Sequence, residues 1–196
     1  MTDRPTPDYT TSMRSIRCGD LRADDIGTEA TLCGWVDSVR EHGEHLAFVD
    51  LRDRSGVVQV VVDGGHELRS EFVLQVTGTV RARPEDTTNE SLATGMVEVA
   101  AAEVTILARS EPPPFPIDDR TDVDEVLRLR HRYVDLRRSR LQRNLEVRAT
   151  VNSAVRGAME EQGFIEVETP MLIASTPEGA RDFVVPSRKE PGSFYA

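Results

Sequence analysis

Between residues 30 and 107 the apolar residues fall into five short runs: ATLCGWVDSVR, HLAFVDLRD, VVQVVVD, FVLQVTGTVRAR and MVEVAAAEVTIL. Gly, Ser, Asp and Asn clusters separate them, and within them apolar and polar residues alternate with the two-residue period of a strand that is wet on one face. Such strands cannot bury their apolar faces singly, so the five must share a core. Among the breaks, GGHELRSE, between the third and fourth runs, is the only one suited to a short helix.

Five strands with a helix at that point match the five-stranded OB barrel, and a small SH3-like barrel is the alternative. The chain has 196 residues, 24 Lys plus Arg, 34 Asp plus Glu and 5% aromatic residues, which fits one or two small domains better than one large core. No run of about 18 apolar residues is present, and MTDRPTPDYTTSMRSIR has no signal-peptide stretch, so a cytoplasmic chain without a membrane span is expected. Residues 1–12, rich in Pro and Thr, read as a disordered leader. Cys18 and Cys33 make neither a disulfide framework nor a metal half-site. His42, His45 and His66 lack the convergent partners that tetrahedral zinc requires, so no metal site is expected.

A formal charge of -10 argues against indiscriminate nucleic-acid binding, but its distribution matters more. Glu111 to Leu127 holds six acids and one Arg, whereas Arg128 to Arg148 holds eight Arg against Asp135 and Glu146. The Arg stretch can approach a polyanion or form internal ion pairs. EPPPFPIDDRTDVDE, residues 111–125, reads as a linker, because its prolines fix φ and its acids keep it solvated. From Leu141 to Gln162 the spacing predicts a helix with a wide apolar face that includes Leu145, Val151, Val155 and Met159. Gly163 is placed to take the left-handed C-cap, and FIEVET alternates as an edge strand until Pro170.

Several stretches resemble the bacterial type of aspartyl-tRNA synthetase, a class II aminoacyl-tRNA synthetase, from about residue 13 to 196. TLCGWVDSVR, FVDLRDRSGVVQVV and QVTGTVRAR resemble its anticodon-binding barrel, RLRHRYVDLRR its hinge, and GFIEVETPML its motif 1. STPEGARDFVVPSR followed by GSFYA is the most specific segment, since lysyl and asparaginyl relatives differ there. The resemblance implies a β-barrel plus α+β chain: an OB-fold at 13–110, a hinge at 111–135, and at 136–196 the truncated start of an antiparallel-sheet catalytic domain. It implies an N-terminal part of an aspartate-tRNA ligase. The full-length enzyme would use ATP and Mg2+ to activate L-aspartate and would then load tRNA(Asp), as a homodimer with Pro170 at the interface. Motif 2 and motif 3 are not within these residues, so no catalytic residue is assigned and adenylation by this chain alone is not expected. The rival is a stand-alone tRNA-binding module that keeps the barrel without catalysis.

Reading single-stranded bases requires aromatic faces for stacking and amide or carboxylate groups for base edges. Phe48 sits in an apolar run and alone could equally be barrel core. Gln59, a lone polar residue in VVQVVVD, must point outward or find a partner. Glu98 alone reads as an exposed strand residue. The resemblance makes Phe48 a stacking platform, Gln59 and Glu98 base-edge contacts, and Arg40 a contact to the strand nearby. It places Glu178, within TPEGA, on the ammonium of bound aspartate. His42 occupies the turn beside the anticodon site, where relatives that also charge tRNA(Asn) tend to carry His, which adds tRNA(Asn) as a second partner.

Overall fold

The computed structural model describes residues 13–43, 46–63, 67–175 and 181–196. The five runs form β1 (Glu29–His42), β2 (Leu46–Asp53), β3 (Gly56–Asp63), β4 (Val73–Ala82) and β5 (Val97–Ala108). They close into a barrel in the order β1-β2-β3-β5-β4, the OB arrangement rather than the SH3-like alternative. Every pairing is antiparallel except β3 with β5, which is parallel. The alternation read from the sequence fills the interior, with Leu32, Leu51, Val60, Leu74, Val80 and Val99 fully buried. Each such side chain contributes about 1.5–3 kcal/mol of transfer free energy.

A short 3-10 turn, Cys18–Asp20, packs against the β2–β3 hairpin. Cys18 N–H donates to Asp53 Oδ2 at 2.9 Å, and Gly19 N–H donates to Ser55 Oγ at 2.8 Å. Burial and the Asp53 carboxylate push the Cys18 thiol well above its ordinary range, so it behaves as an apolar filler.

The segment GGHELRSE does not form the expected helix among its described residues, 67–71, and residues 64–66 lie outside the description. Leu68 packs against the core, and Glu71 adopts φ 66° with its buried carboxylate on Arg52. Delivering Leu68, Glu71 and then Phe72 to those places overrides the helix-forming composition.

Contacts divide the chain after Asp135, with a second unit over Leu136–Ala196. At the end of the first unit, α1 (Glu125–Arg130) and α2 (Arg132–Asp135) interrupt the expected linker. Phe115 and Val134 are buried there. Asp124 caps α1 by accepting from Leu127 N–H at 3.2 Å. Arg128 Nε and Arg132 Nη1 donate to the buried Asp135 at 3.0 and 2.6 Å, so part of the Arg stretch is spent on internal ion pairs. Burial opposes ionisation of Asp135, but the two guanidiniums outweigh it and hold its carboxyl below the usual range. The stabilisation is therefore present above the unfolded carboxylate value of about 3.9 and is lost as pH falls through the lower folded value. The protection of amides at residues 125–135, relative to their intrinsic exchange rates, should hold down to about pH 4 and fall below it; protection unchanged at lower pH would contradict this role.

In the second unit α3 spans Ser139–Glu161. Its end follows the expectation: Gly163 takes φ 84°, its N–H bonds Glu160 O at 2.9 Å, and Phe164 N–H bonds Met159 O at 3.1 Å, a Schellman closure. FIEVET, however, is not a strand, because no described segment lies beside it to complete a ladder. Instead β6 (Val185–Pro186) pairs with β7 (Phe194–Tyr195). No residue of α3 is buried, and Phe164, Ile165, Val167 and Met171 are exposed. A unit with so little buried area opens readily. Limited trypsin digestion should remove residues beyond about 135 first and leave the first unit; equal protection out to Ala196 would refute this. No helix among the described residues is long and apolar enough to cross a membrane.

Candidate nucleic-acid interface

Because the core takes Val49 and Leu51, Val58 and Val60, and Val97 and Val99, the residues between them face outward. Cross-strand register then aligns Ser38 of β1 with Asp50 of β2, Asp50 with Gln59 of β3, Gln59 with Glu98 of β5, and Glu98 with Arg81 of β4. A single polar row thus crosses all five strands. In the adjoining row Arg40 faces Phe48, and Phe48 faces Val61.

The polar row is joined end to end. Asp50 accepts from Ser38 Oγ at 2.7 Å and from Arg40 Nη1 and Nη2 at 2.8 and 3.0 Å. Arg40 Nη2 also donates to Gln59 Oε1 at 3.1 Å. Gln59 Nε2 donates to Glu98 Oε2 at 2.7 Å, and Arg81 Nε donates to Glu98 Oε1 at 2.7 Å. Gln59 is 7% exposed and Glu98 2%, so Glu98 is not the exposed strand residue that its local sequence suggests. Their partners make burial tolerable, since a buried polar group without one costs roughly 1–3 kcal/mol.

Phe48 is half-buried and absent from the core cluster, which removes the core reading. Its ring lies 6.1 Å from that of His42 at 71°, an edge-to-face contact. Arg40, Phe48, Gln59 and Glu98 are therefore brought together on one face. Asp50, Arg81 and Arg83 join them unannounced by the sequence reading. Asp50 was accessible through alternation, because it lies two residues from Phe48 on the same strand. Arg83 is 8% exposed, with Nε donating to Val97 O at 3.0 Å and Nη2 buried without a hydrogen-bond partner among the described residues. Burial lowers its pKa against the opposing pull of Glu98 and Asp50.

The guanidiniums of Arg40, Arg81 and Arg83 nearly balance the carboxylates of Asp50 and Glu98, so this face suits base edges better than a run of phosphates. Glu178 lies outside the described residues, and Pro170 is exposed. Among the described residues no group of three or more His, Cys, Asp and Glu could hold a metal ion; His45 and His66 lie outside them.

The OB-fold nucleic acid binding domain family matches residues 30–107, and the class II tRNA synthetase family of the D, K and N types matches residues 124–196. The chain belongs to the class II tRNA synthetases that carry an anticodon-binding OB-fold domain. Within that class its relatives are aspartate-tRNA(Asp/Asn) ligases: that of Moorella thermoacetica is 54% identical over 191 residues, covering 93% of this chain and 32% of that protein. The ligase of Pseudarthrobacter chlorophenolicus is 52% identical over 187 residues, covering 94% and 31%. The chain thus spans about a third of the length of these relatives. Among solved structures, Pyrococcus horikoshii asparaginyl-tRNA synthetase with asparaginyl-adenylate superposes with TM-score 0.73 at 24% identity, covering 92% of this chain and 42% of that one. Entamoeba histolytica aspartyl-tRNA synthetase gives TM-score 0.72 at 20% identity, covering 84% and 41%. These two share the fold.

Proposed function

We propose that the outer face built on Phe48, Gln59, Glu98 and Arg40 binds the anticodon loop of tRNA(Asp), and that this chain is the anticodon-reading part of an aspartate-tRNA ligase. The observation that carries the reading is the juxtaposition of a half-buried aromatic ring, Phe48, with a buried amide and carboxylate, Gln59 and Glu98, one register row away. A ring offers stacking to any base, whereas the amide and the carboxylate discriminate among base edges. Arg83 Nη2 adds a buried donor to the same face.

The partner range includes tRNA(Asn). His42 touches Phe48 at the tip of the β1–β2 hairpin, and the relatives' names include both tRNAs. In the whole enzyme, ATP and Mg2+ would supply aspartate activation, and Glu178 would hold the substrate ammonium. The exposed apolar residues of α3, with Pro170 beyond it, suit a homodimer interface. The setting is the cytoplasm, where tRNA is charged.

The test is binding of labelled anticodon stem-loops to the 196-residue chain. The aspartate and asparagine loops should bind at least about tenfold more tightly than a loop with an unrelated anticodon, given roughly 1–3 kcal/mol per bidentate base contact. Gln59→Ala should narrow that gap while leaving the weak binding to the unrelated loop unchanged. Equal binding of all loops by the wild-type chain would overturn the reading, and rejection of the asparagine loop alone would remove the second partner.

A further inference from the structure

We propose that Asp50 is a positioning residue for this face, holding Arg40 and through it fixing the direction in which the Gln59 amide presents its donor and acceptor. The inference rests on the anticodon reading for its consequence, but its structural content stands apart from any ligand. A guanidinium can only donate hydrogen bonds, and an ionised carboxylate can only accept them. Gln59 lies between one of each: its Oε1 faces Arg40 and its Nε2 faces Glu98. Turning the amide over would set NH2 against guanidinium and oxygen against carboxylate. The row therefore permits one orientation, and the free capacity of Gln59, one N–H and one lone pair, points the same way in every molecule.

Each end of that arrangement has an anchor. Glu98 is held by Arg81, and Arg40 by Asp50 through a fork-to-fork pair. The Asp50 side chain is only 15% exposed, is further fixed by Ser38, and so is a firm support for Arg40, whose side chain is 54% exposed. Without Asp50, Arg40 would move among rotamers in solvent and release Gln59 Oε1. On this account Asp50 acts through Arg40 and not on a base, its carboxylate being engaged by Arg40 and Ser38.

This role has a signature that a merely acidic neighbour of RNA lacks. Deleting a negative charge beside a polyanion strengthens binding to every loop alike. Loss of positioning instead weakens the cognate loop relative to the others. With the full chain, Asp50→Ala should reduce the preference for the aspartate loop over an unrelated loop by about fivefold or more, while the unrelated loop binds as well as before or better. Asp50→Asn, which keeps the shape, should fall between. Because Asp50 acts through Arg40, the double variant Asp50→Ala/Arg40→Ala should discriminate no worse than Arg40→Ala.

A ligand-free measurement accompanies these: the Gln59 side-chain NH2 pair, observed by 15N NMR, should shift and broaden in Asp50→Ala while backbone amides in the core of β3 keep their positions. Wild-type discrimination by Asp50→Ala, losses that multiply in the double variant, or an unmoved Gln59 NH2 pair would each overturn the positioning role. If the wild-type chain does not discriminate among loops, the anticodon reading falls, and the NMR comparison still decides whether Asp50 orients Gln59. Thermal unfolding of each variant separates a changed site from an unfolded barrel.

Discussion

Gly78→Ala should lower the stability of the barrel by about 3 kcal/mol, the upper part of the range for overpacked sites. Gly78 lies in β4 at an irregularity of the β4–β5 register, opposite Ala101. A Cβ built there would sit 2.1 Å from Ala100 O and 2.9 Å from Ala101 Cα. These are backbone atoms of the neighbouring strand, and no rotamer change can make room. Relief requires the two strands to separate along the longest ladder of the barrel. In a domain of about 100 residues each kcal/mol shifts the midpoint by roughly 4–8 °C, so thermal unfolding should come about 10–25 °C earlier. Glu98 lies on β5 only two residues from Ala100, so the displaced strand should also blunt loop binding at temperatures where the variant is still folded. A midpoint within a degree or two of the wild type would show that the strands tolerate the methyl group.

Phe48→Ala should weaken binding of the aspartate anticodon loop by roughly tenfold or more, because loss of one base-aromatic stack costs about 1–3 kcal/mol. The same change should barely alter thermal stability. Phe48 is on the outer face, between Arg40 and Val61, so its removal opens no internal cavity. Truncating a core phenylalanine would instead cost about 3–5 kcal/mol. The two measurements thus separate the two roles of an aromatic residue in an apolar run. Large loss of binding with an intact melting curve identifies the platform. Unchanged binding by a folded variant would remove it.

What the sequence disclosed depended on the range over which each feature is determined. The strands were readable because alternation is local: VVQVVVD and AFVDLRD state in themselves which side chains face the core. Gly163 was readable for the same reason, since the left-handed residue that closes a helix follows from its immediate neighbours. FIEVET alternates just as well, yet a strand also needs a partner, and the described chain places none beside it. The Glu67–Glu71 connection has helix-forming residues but is bent by the demands of Arg52 and the core. Glu98 was the hardest to place, because its burial depends on parallel pairing with Gln59, 39 residues away, which no local pattern encodes. The roles of Arg40, Phe48 and Gln59 follow from family resemblance and Asp50 follows from alternation with Phe48, whereas Arg83, beyond the end of β4, joins the face only in the folded chain.

Parallel pairing of β3 with β5 spans just Gln59–Glu98, Val60–Val99 and Val61–Ala100, the shortest seam in the barrel. Its partners lie far apart along the chain, and contacts of that kind form late because loop closure must come first. The amide and carboxylate assigned to base recognition occupy the end of this seam. A chain emerging from the ribosome could hold β1, β2 and β3 as a meander with Arg40, Phe48 and Gln59 in place, yet Glu98 would be missing from the row. On the proposed reading, discrimination among base edges is complete only when the barrel closes, so a half-made molecule could stack on a base without choosing among anticodons.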